Sequence, residues 1–409
     1  MNSHLPNFRD PQFLQAHMRH TLAFYAPRAK DPSGGCFQFF KDDGTVYDRR
    51  TRHLVSSTRF VFNHALAWRW FGGLRTDVAH ALAFVNAAHA QPHGGYAWTL
   101  DWHDGQATVT DGTHHCYGLA FVLLSNAHAA EAGAAGALDG IATTFDLMER
   151  RFWEPAHGLY ADEATPDWQV GTYRGQNANM HACEAMLAAH AATGEARYLN
   201  RALTLATSIA QRQASLAGGL VWEHYKVDWS PDWDYNRDDK TNIFRPWGFQ
   251  TGHLTEWAKL LLMLERRLGD SAPAWLVSTA RHFFDTAMRH GWDAAHGGLV
   301  YGFAPGGEVC DGDKYFWVQA ESLAAAAWLA VRTHDNTYWQ WYDRLWAYAW
   351  QHFVDHEHGA WYRILAPDNA KVTDEKSPAG KTDYHTMGAC QDVLAALGVS
   401  PDTILRVAA

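Results

Sequence analysis

Six stretches of this 409-residue chain carry side chains suited to moving protons, several at the spacing of one helical turn. His253 and Glu256 stand at i and i+3, and Asn177 and His181 at i and i+4, so each pair shares a face if its segment is helical. Arg59, the pair His114 and His115, Trp317 with Gln319 and Glu321, and Asp383 with His385 complete the set. Histidine titrates near neutrality, so two of them can remove and return a proton at working pH, typically a contribution of about 10²–10⁴-fold. The chain has no nucleophilic serine or cysteine elbow, no HExxH and no glycine-rich phosphate loop. His181, His253 and His385 with Glu256 offer metal-type donors, yet they are spread over different segments and serve acid–base chemistry without a cation. The expectation is therefore no metal and no cofactor.

Something must bring these residues together, and the chain repeats itself six times. A glycine-plus-aromatic turn recurs at Gly35-Cys36-Phe37, Gly95-Tyr96-Ala97-Trp98, Gly158-Leu159-Tyr160, Gly219-Leu220-Val221-Trp222, Gly298-Leu299-Val300-Tyr301 and Gly359-Ala360-Trp361-Tyr362. Successive glycines are 60, 63, 61, 79 and 61 residues apart. His93, His157, His296 and His358 recur with the turn rather than with any chemistry and read as turn residues.

Between turns lie pairs of segments with the 3.6-residue apolar period: 54–71 and 76–90, 113–132 and 137–152, 177–193 and 196–214, 248–267 and 272–290, 314–333 and 337–354. One more helix precedes the first turn (10–28) and one follows the last (382–397). Short Gly, Pro or Asp breaks separate the members of each pair, so neighbours run antiparallel. Twelve helices in six hairpins predict an all-α fold, a single (α/α)6 barrel over residues 1–409 with inner and outer helices alternating. An open solenoid would want polar capping helices, whereas the terminal helices here are amphipathic. The longest interval carries residues 225–247, rich in aromatics, Asp and Arg, which reads as a lid or specificity loop. In each even-numbered helix the polar residues sit near the N-terminal end. If those helices form the inner ring, the candidates meet at one mouth, under the positive potential of six helix N-termini. Taken singly, each is also readable as a cap or a solvated residue, and Glu256 as an exposed partner of Lys259.

Composition narrows the partners. With 34 Lys+Arg against 44 Asp+Glu the net charge is −10, against nucleic-acid binding. No apolar run is long enough to span a bilayer, and five widely spaced cysteines without a CxxC suit reduced thiols, so a cytoplasmic protein is expected. Cys116 and Cys183 read as buried small hydrophobes. A helical barrel leaves apolar outer surface, compatible with a homo-oligomer. Aromatics make up 14% of the chain; most read as core, and aromatic faces also stack on sugars.

Tyr173-Arg174-Gly175-Gln176-Asn177-Ala178-Asn179-Met180-His181, Trp222-Glu223-His224, Gly252-His253-Leu254-Thr255-Glu256-Trp257 and Trp317-Val318-Gln319-Ala320-Glu321 resemble the N-acylglucosamine 2-epimerase superfamily over nearly the whole chain. Lys381-Thr382-Asp383-Tyr384-His385-Thr386 looks like its aldose–ketose isomerase branch, where the N-acyl epimerases usually carry Gly-Pro-aromatic-His. The resemblance implies an (α/α)6 barrel, a free monosaccharide such as mannose or fructose as substrate, and no metal or nicotinamide. It implies that His385 moves the proton between C2 and C1 through a cis-enediol(ate). His253 would help open the ring, with Glu256 orienting it; Arg59 would stabilise the enediolate. Asn177, His181, Trp317, Glu321 and His114 would bind the sugar. A sugar 2-epimerase using the same two histidines is the nearest alternative. A glycoside hydrolase on the same barrel, using Glu256 with Glu321 or Asp111, is a second, and a non-catalytic binding barrel a third.

Overall fold

The computed structural model describes residues 5–239, 242 and 245–401. Among them are twelve α-helices: α1 (Pro11–Tyr25), α2 (Leu54–Phe71), α3 (Arg75–Phe84), α4 (Cys116–Glu131), α5 (Ala137–Arg151), α6 (Gln176–Thr193), α7 (Ala196–Thr207), α8 (Thr251–Leu268), α9 (Trp275–Gly291), α10 (Phe316–Thr333), α11 (Asn336–His352) and α12 (Tyr384–Ala396). The even-numbered helices pack each on the next, and α12 returns to α2, so the ring closes. The odd-numbered helices lie outside, each against the inner helix of its own hairpin, while α1 and α12, the unpaired ends of the chain, pack together. This is the (α/α)6 barrel that the repeat spacing predicts. Inner helices are buried almost all round, and small side chains such as Ala324, Ala325, Ala326 and Ala327 let neighbours approach closely.

Two outer helices end differently from the expected spans 76–90 and 196–214. Their last turns widen into π-helix at Val85–His89 and Ser208–Gln213. The first of these ends on His89, whose ring nitrogens lie 3.0 Å from Ala97 O and 3.0 Å from Ser57 Oγ.

The glycine turns do a specific job. All six repeat glycines have positive φ, between 62° and 94°, so a residue with a Cβ is strained there. At Gly298 an added Cβ would also come within 2.3 Å of the Tyr348 ring. Just past each turn the chain runs back along the segment that enters an inner helix, forming short antiparallel ladders: His53 with Thr99, His114 with Ala164, Arg174 with Tyr225, Phe249 with Phe303 and Lys314 with Leu365. The pairing Phe40 with Ser377 adds a sixth across the junction of the chain ends. These ladders, not predicted from the periodicity, also satisfy the helix starts. The first N–H of α2, α4, α6, α8 and α10 donates to Trp98, Asp162, Glu223, Tyr301 and Arg363 carbonyls respectively, at 2.7–3.1 Å. In α4, α6, α8 and α10 no side chain caps the start, which releases the polar side chains of those turns for other work, while α2 is also capped by the His53 ring, which accepts from Val55 N–H at 3.2 Å.

Cys36, Cys116, Cys183 and Cys390 are buried thiols. Among the described residues no helix is long and apolar enough to cross a membrane.

Candidate active site

The inner-helix N-termini surround an open-mouthed cleft lined by aromatic and polar side chains. Seven of the nine residues singled out from sequence line it: Arg59, Asn177, His181, His253, Glu256, Trp317 and His385. They come from α2, α6, α8, α10 and α12, so only ring closure brings them together. Tyr117, Tyr315 and Arg363, absent from the sequence reading, also line the cleft, as do Tyr301 of the fifth glycine turn and Lys381 of the last motif, neither of which was given a role there.

His385 is 6% exposed and both of its ring nitrogens are engaged. Its Nε2 lies 3.2 Å from an Arg59 guanidinium nitrogen and its Nδ1 2.7 Å from Glu321 Oε1. A guanidinium only donates, so Nε2 must accept, and the ring proton must sit on Nδ1, donated to Glu321. Burial, reinforced by the charges of Arg59, His181 and Lys259, holds this imidazole well below its usual pKa and so neutral. The result is a histidine in one fixed tautomer with its lone pair on the cleft side, as a base requires.

His253 has the same arrangement from another element. Its Nδ1 lies 2.9 Å from Glu223 Oε2, and that oxygen also accepts from Gln176 Nε2 at 3.0 Å. The amide of Gln176 is oriented by the Trp257 indole N–H, which donates to its Oε1 at 2.7 Å. The second nitrogen of His253, Nε2, is the one left for a ligand. Trp317 lies beside both rings, 5.0 Å from His253 and 5.8 Å from His385 between centroids. His181 repeats the pattern a third time, with Nδ1 3.0 Å from Glu184 Oε2.

Three expectations are corrected. Glu256 does not orient His253, because Glu223 occupies that nitrogen. Glu256 is 1% exposed, reaches only to 3.8 Å from His181 Nδ1, and accepts no hydrogen bond among the described residues. Burial first, then the neighbouring Glu321, pushes its carboxyl well above the ordinary range, so it is a neutral acid. Nor is it an exposed partner of Lys259, which is itself buried and paired with Glu321 and Asp392. Glu321 does not line the cleft; its two oxygens are taken by His385 and Lys259. His114 is a packing residue, stacked on Trp168 with centroids 3.9 Å apart, outside the cleft. Its ladder position turns it toward the neighbouring hairpin, which the helical period could not register.

Arg59 donates to the Gly380 carbonyl and to Tyr117 Oη (3.4 Å), and its guanidinium stacks over Phe121 and Tyr384. Asn177 Oδ1 has no hydrogen-bond partner among the described residues although buried, an acceptor left for a ligand hydroxyl. Glu223, Glu184 and Lys259 are the residues sequence reasoning missed. Glu223 stood inside the Trp222-Glu223-His224 motif, but nothing in its spacing paired it with His253. Two groups of donors approach within 4.8 Å of one another, His181 with Glu184 and Glu256, and Glu256 with Glu321 and His385. The second already holds two protein cations at its donors, Arg59 on His385 and Lys259 on Glu321.

A family model described as N-acylglucosamine 2-epimerase matches residues 35–389. A D-mannose isomerase of Marinomonas mediterranea is 53% identical over 401 residues, covering 96% of this chain and 99% of that protein. A D-mannose isomerase of Thermobifida fusca is 36% identical over 382 residues, 92% of each. A solved structure described as the crystal structure of D-mannose isomerase superposes with a TM-score of 0.92 at 53% identity, over 96% of this chain and 99% of that one.

Proposed function

Since the chain belongs to the N-acylglucosamine 2-epimerase family, we propose that it is an aldose–ketose isomerase interconverting D-mannose and D-fructose. The observation that carries the chemistry is the pair of histidines, each held by a glutamate through Nδ1, flanking Trp317 in one cleft.

The sugar enters as a ring, with Trp317 against its C–H face and Asn177 and His181 on its hydroxyls. His253 shuttles the proton between the anomeric hydroxyl and the ring oxygen, giving the open-chain aldose. His385 Nε2 then takes the proton from C2. The C2–H pair becomes the C1–C2 double bond, and the carbonyl pair moves onto O1, giving the enediolate. Arg59 stabilises the negative charge that develops on the enediolate oxygens. His253 takes the O2 proton at Nε2 and passes it to O1, and His385 returns its proton to C1 as C2 becomes the ketose carbonyl. The neutral Glu256 carboxyl lies against the same cleft, a donor for a sugar oxygen. The barrel acts as one catalytic domain over 1–409, with residues 225–247 as its specificity loop. Residues 240, 241, 243 and 244 of that loop lie outside the described residues. Its Pro246 lines the cleft and is held by His224 Nε2 at 2.8 Å. The protein works in the cytoplasm, with the sugar as its only required partner and a homo-oligomer as its compatible assembly.

A hydrolase fits this arrangement poorly, since Glu321 is tied to His385 and Lys259 outside the cleft and cannot flank a glycosidic bond. The test is proton NMR of D-mannose with the enzyme in D2O and EDTA. Fructose as the first product supports the reading and a metal-free reaction. Glucose as the first product makes the protein a 2-epimerase. Unchanged mannose overturns the substrate, and activity restored only by added divalent metal overturns the metal-free mechanism.

A further inference from the structure

We propose that Lys259 is a positioning residue of the reaction: its buried ammonium keeps Glu321 ionised behind His385 and is itself anchored from the far end of the barrel by Asp392. The proposal rests on the assignment of His385 as the base.

Lys259 is one helical turn beyond Glu256 on α8 and 2% exposed. Its Nζ lies 2.6 Å from Glu321 Oε2 and 3.1 Å from Asp392 Oδ2. Glu321 therefore divides its oxygens, Oε1 to the His385 N–H and Oε2 to the ammonium. Burying charges is costly even when they are paired, and Lys259, Glu321 and Asp392 replaced together by apolar residues of similar volume would pack here without that cost. Stability alone does not explain a lysine at this point.

The charges around it explain it better. Facing this centre are Arg59 from α2, Tyr117 from α4, His181 and Glu184 from α6, Glu256 from α8, Glu321 from α10, and Tyr384, His385 and Asp392 from α12. Four are carboxyl groups, and besides Lys259 the fixed cation among them is Arg59, which lies on the cleft side of His385. Burial and Glu184 press the Glu321 carboxyl upward, and Lys259 is the first influence opposing them. Without it Glu321 would take a proton, and a protonated acid no longer compels the Nδ1–H tautomer. Burial alone would discharge the lysine, but Glu321 and Asp392 hold its pKa well above the ordinary value. Asp392 lines a second cavity, of about 1480 Å³, formed with Arg266, Arg267 and Trp328 at the opposite end of the barrel. The base is thus fixed by a chain of ion pairs, His385–Glu321–Lys259–Asp392, running from the cleft to that cavity.

The experiment compares the full-length wild type, Lys259→Met and Asp392→Asn. It reads the pH profile of kcat/KM on D-mannose and the ¹⁵N shifts of the His385 ring. In Lys259→Met the Glu321 carboxyl takes a proton, so His385 loses the carboxylate in contact with it as well as the more distant ammonium, and the acidic limb should move down by about one pH unit. Its kcat should fall about 10–100-fold with KM changed much less. Asp392→Asn removes a more distant negative charge and should move the limb the same way, by less. The ring should be the Nδ1–H tautomer in wild type at pH 7 and lose that uniqueness in Lys259→Met. Superimposable pH profiles and an unaltered tautomer in both variants would reduce Lys259 to a structural residue and overturn the proposal. If Lys259→Met does not fold, Asp392→Asn, whose side chain stands at a cavity wall, decides alone. The nitrogen spectra need no turnover, so a wild type inactive on mannose would defeat the proposed substrate while leaving this test decisive.

Discussion

Glu321 Oε1 and His385 Nδ1 are 2.7 Å apart, and because Arg59 holds the other side of the ring, that contact decides which nitrogen of His385 is basic. The pair joins α10 to α12, on opposite sides of the last glycine turn, and makes the tautomer of the base a property of the barrel.

Glu321→Gln isolates this relationship. Lys259 can only donate, so it takes the amide oxygen and leaves the NH2 group facing His385 Nδ1. The ring then meets N–H donors on both sides, the new amide at Nδ1 and Arg59 at Nε2, so the Nδ1–H form that abstraction needs loses its acceptor. The expected outcome is a fall in kcat of about 10²-fold or more with a small change in KM. Steady-state kinetics on mannose checks it, and full activity would show that Glu321 does not set the tautomer.

Glu223→Ala tests the second histidine. His253 loses its Nδ1 partner and Gln176 loses its acceptor, while the Trp257–Gln176 contact remains. A fall in kcat/KM of about 10²-fold is expected, with the fold intact by circular dichroism. A near-normal rate would return the orienting role to another group.

Asp383→Asn probes the turn that aims His385. Thr382 and Asp383 both have left-handed backbone, φ 42° and 50°, immediately before α12. Asp383 accepts from Tyr25 Oη at 2.5 Å, from Lys381 Nζ at 2.5 Å and from Trp361 N at 3.3 Å. Asparagine tolerates that backbone, so the substitution removes charge more than conformation and leaves the buried Lys381 uncompensated. A loss of about 3 kcal/mol in unfolding free energy is expected, measured by denaturant titration. An unchanged midpoint would mean the strain is held by other contacts.

Acid should destabilise the protein before it reaches the ordinary carboxylate range. Burial lowers His17 and His53 to about 3 and His64, His89 and His115 to about 4. The unfolded chain takes these protons near pH 6.5 while the folded one refuses them until about 3–4, so stability falls as pH drops through that window. Asp162 and Asp392, raised by burial to about 7 and about 6, act in the opposite sense, losing stability as pH rises. The histidines are more numerous, so the melting temperature should decline steadily from pH 6.5 to 4.5. A melting temperature flat over that range would show that these rings accept protons in the folded state.

The barrel was legible in the sequence because it is built from a local period repeated six times. Glycine can hold a positive φ at no steric cost, and amphipathic segments of constant spacing admit few packings. Arg59, Asn177, His181, His253, Glu256 and His385 were legible for a related reason, since each is a polar residue on an inner helix where the period asks for an apolar one, and Trp317 was legible from the motif it shares with Glu321. The ladders were not, because two-residue strands carry no periodicity. His114 was misplaced on that account, its orientation being set by pairing with Ala164. The partners behind the histidines were beyond the sequence too. Glu223, thirty residues from His253, and Glu321, sixty-four from His385, meet them only when the ring closes. A hydrogen bond depends on distance in space, and a sequence motif records distance along the chain. The sequence by itself therefore determined the barrel and the set of reactive side chains, and the tertiary structure decided which carboxylate fixes which base.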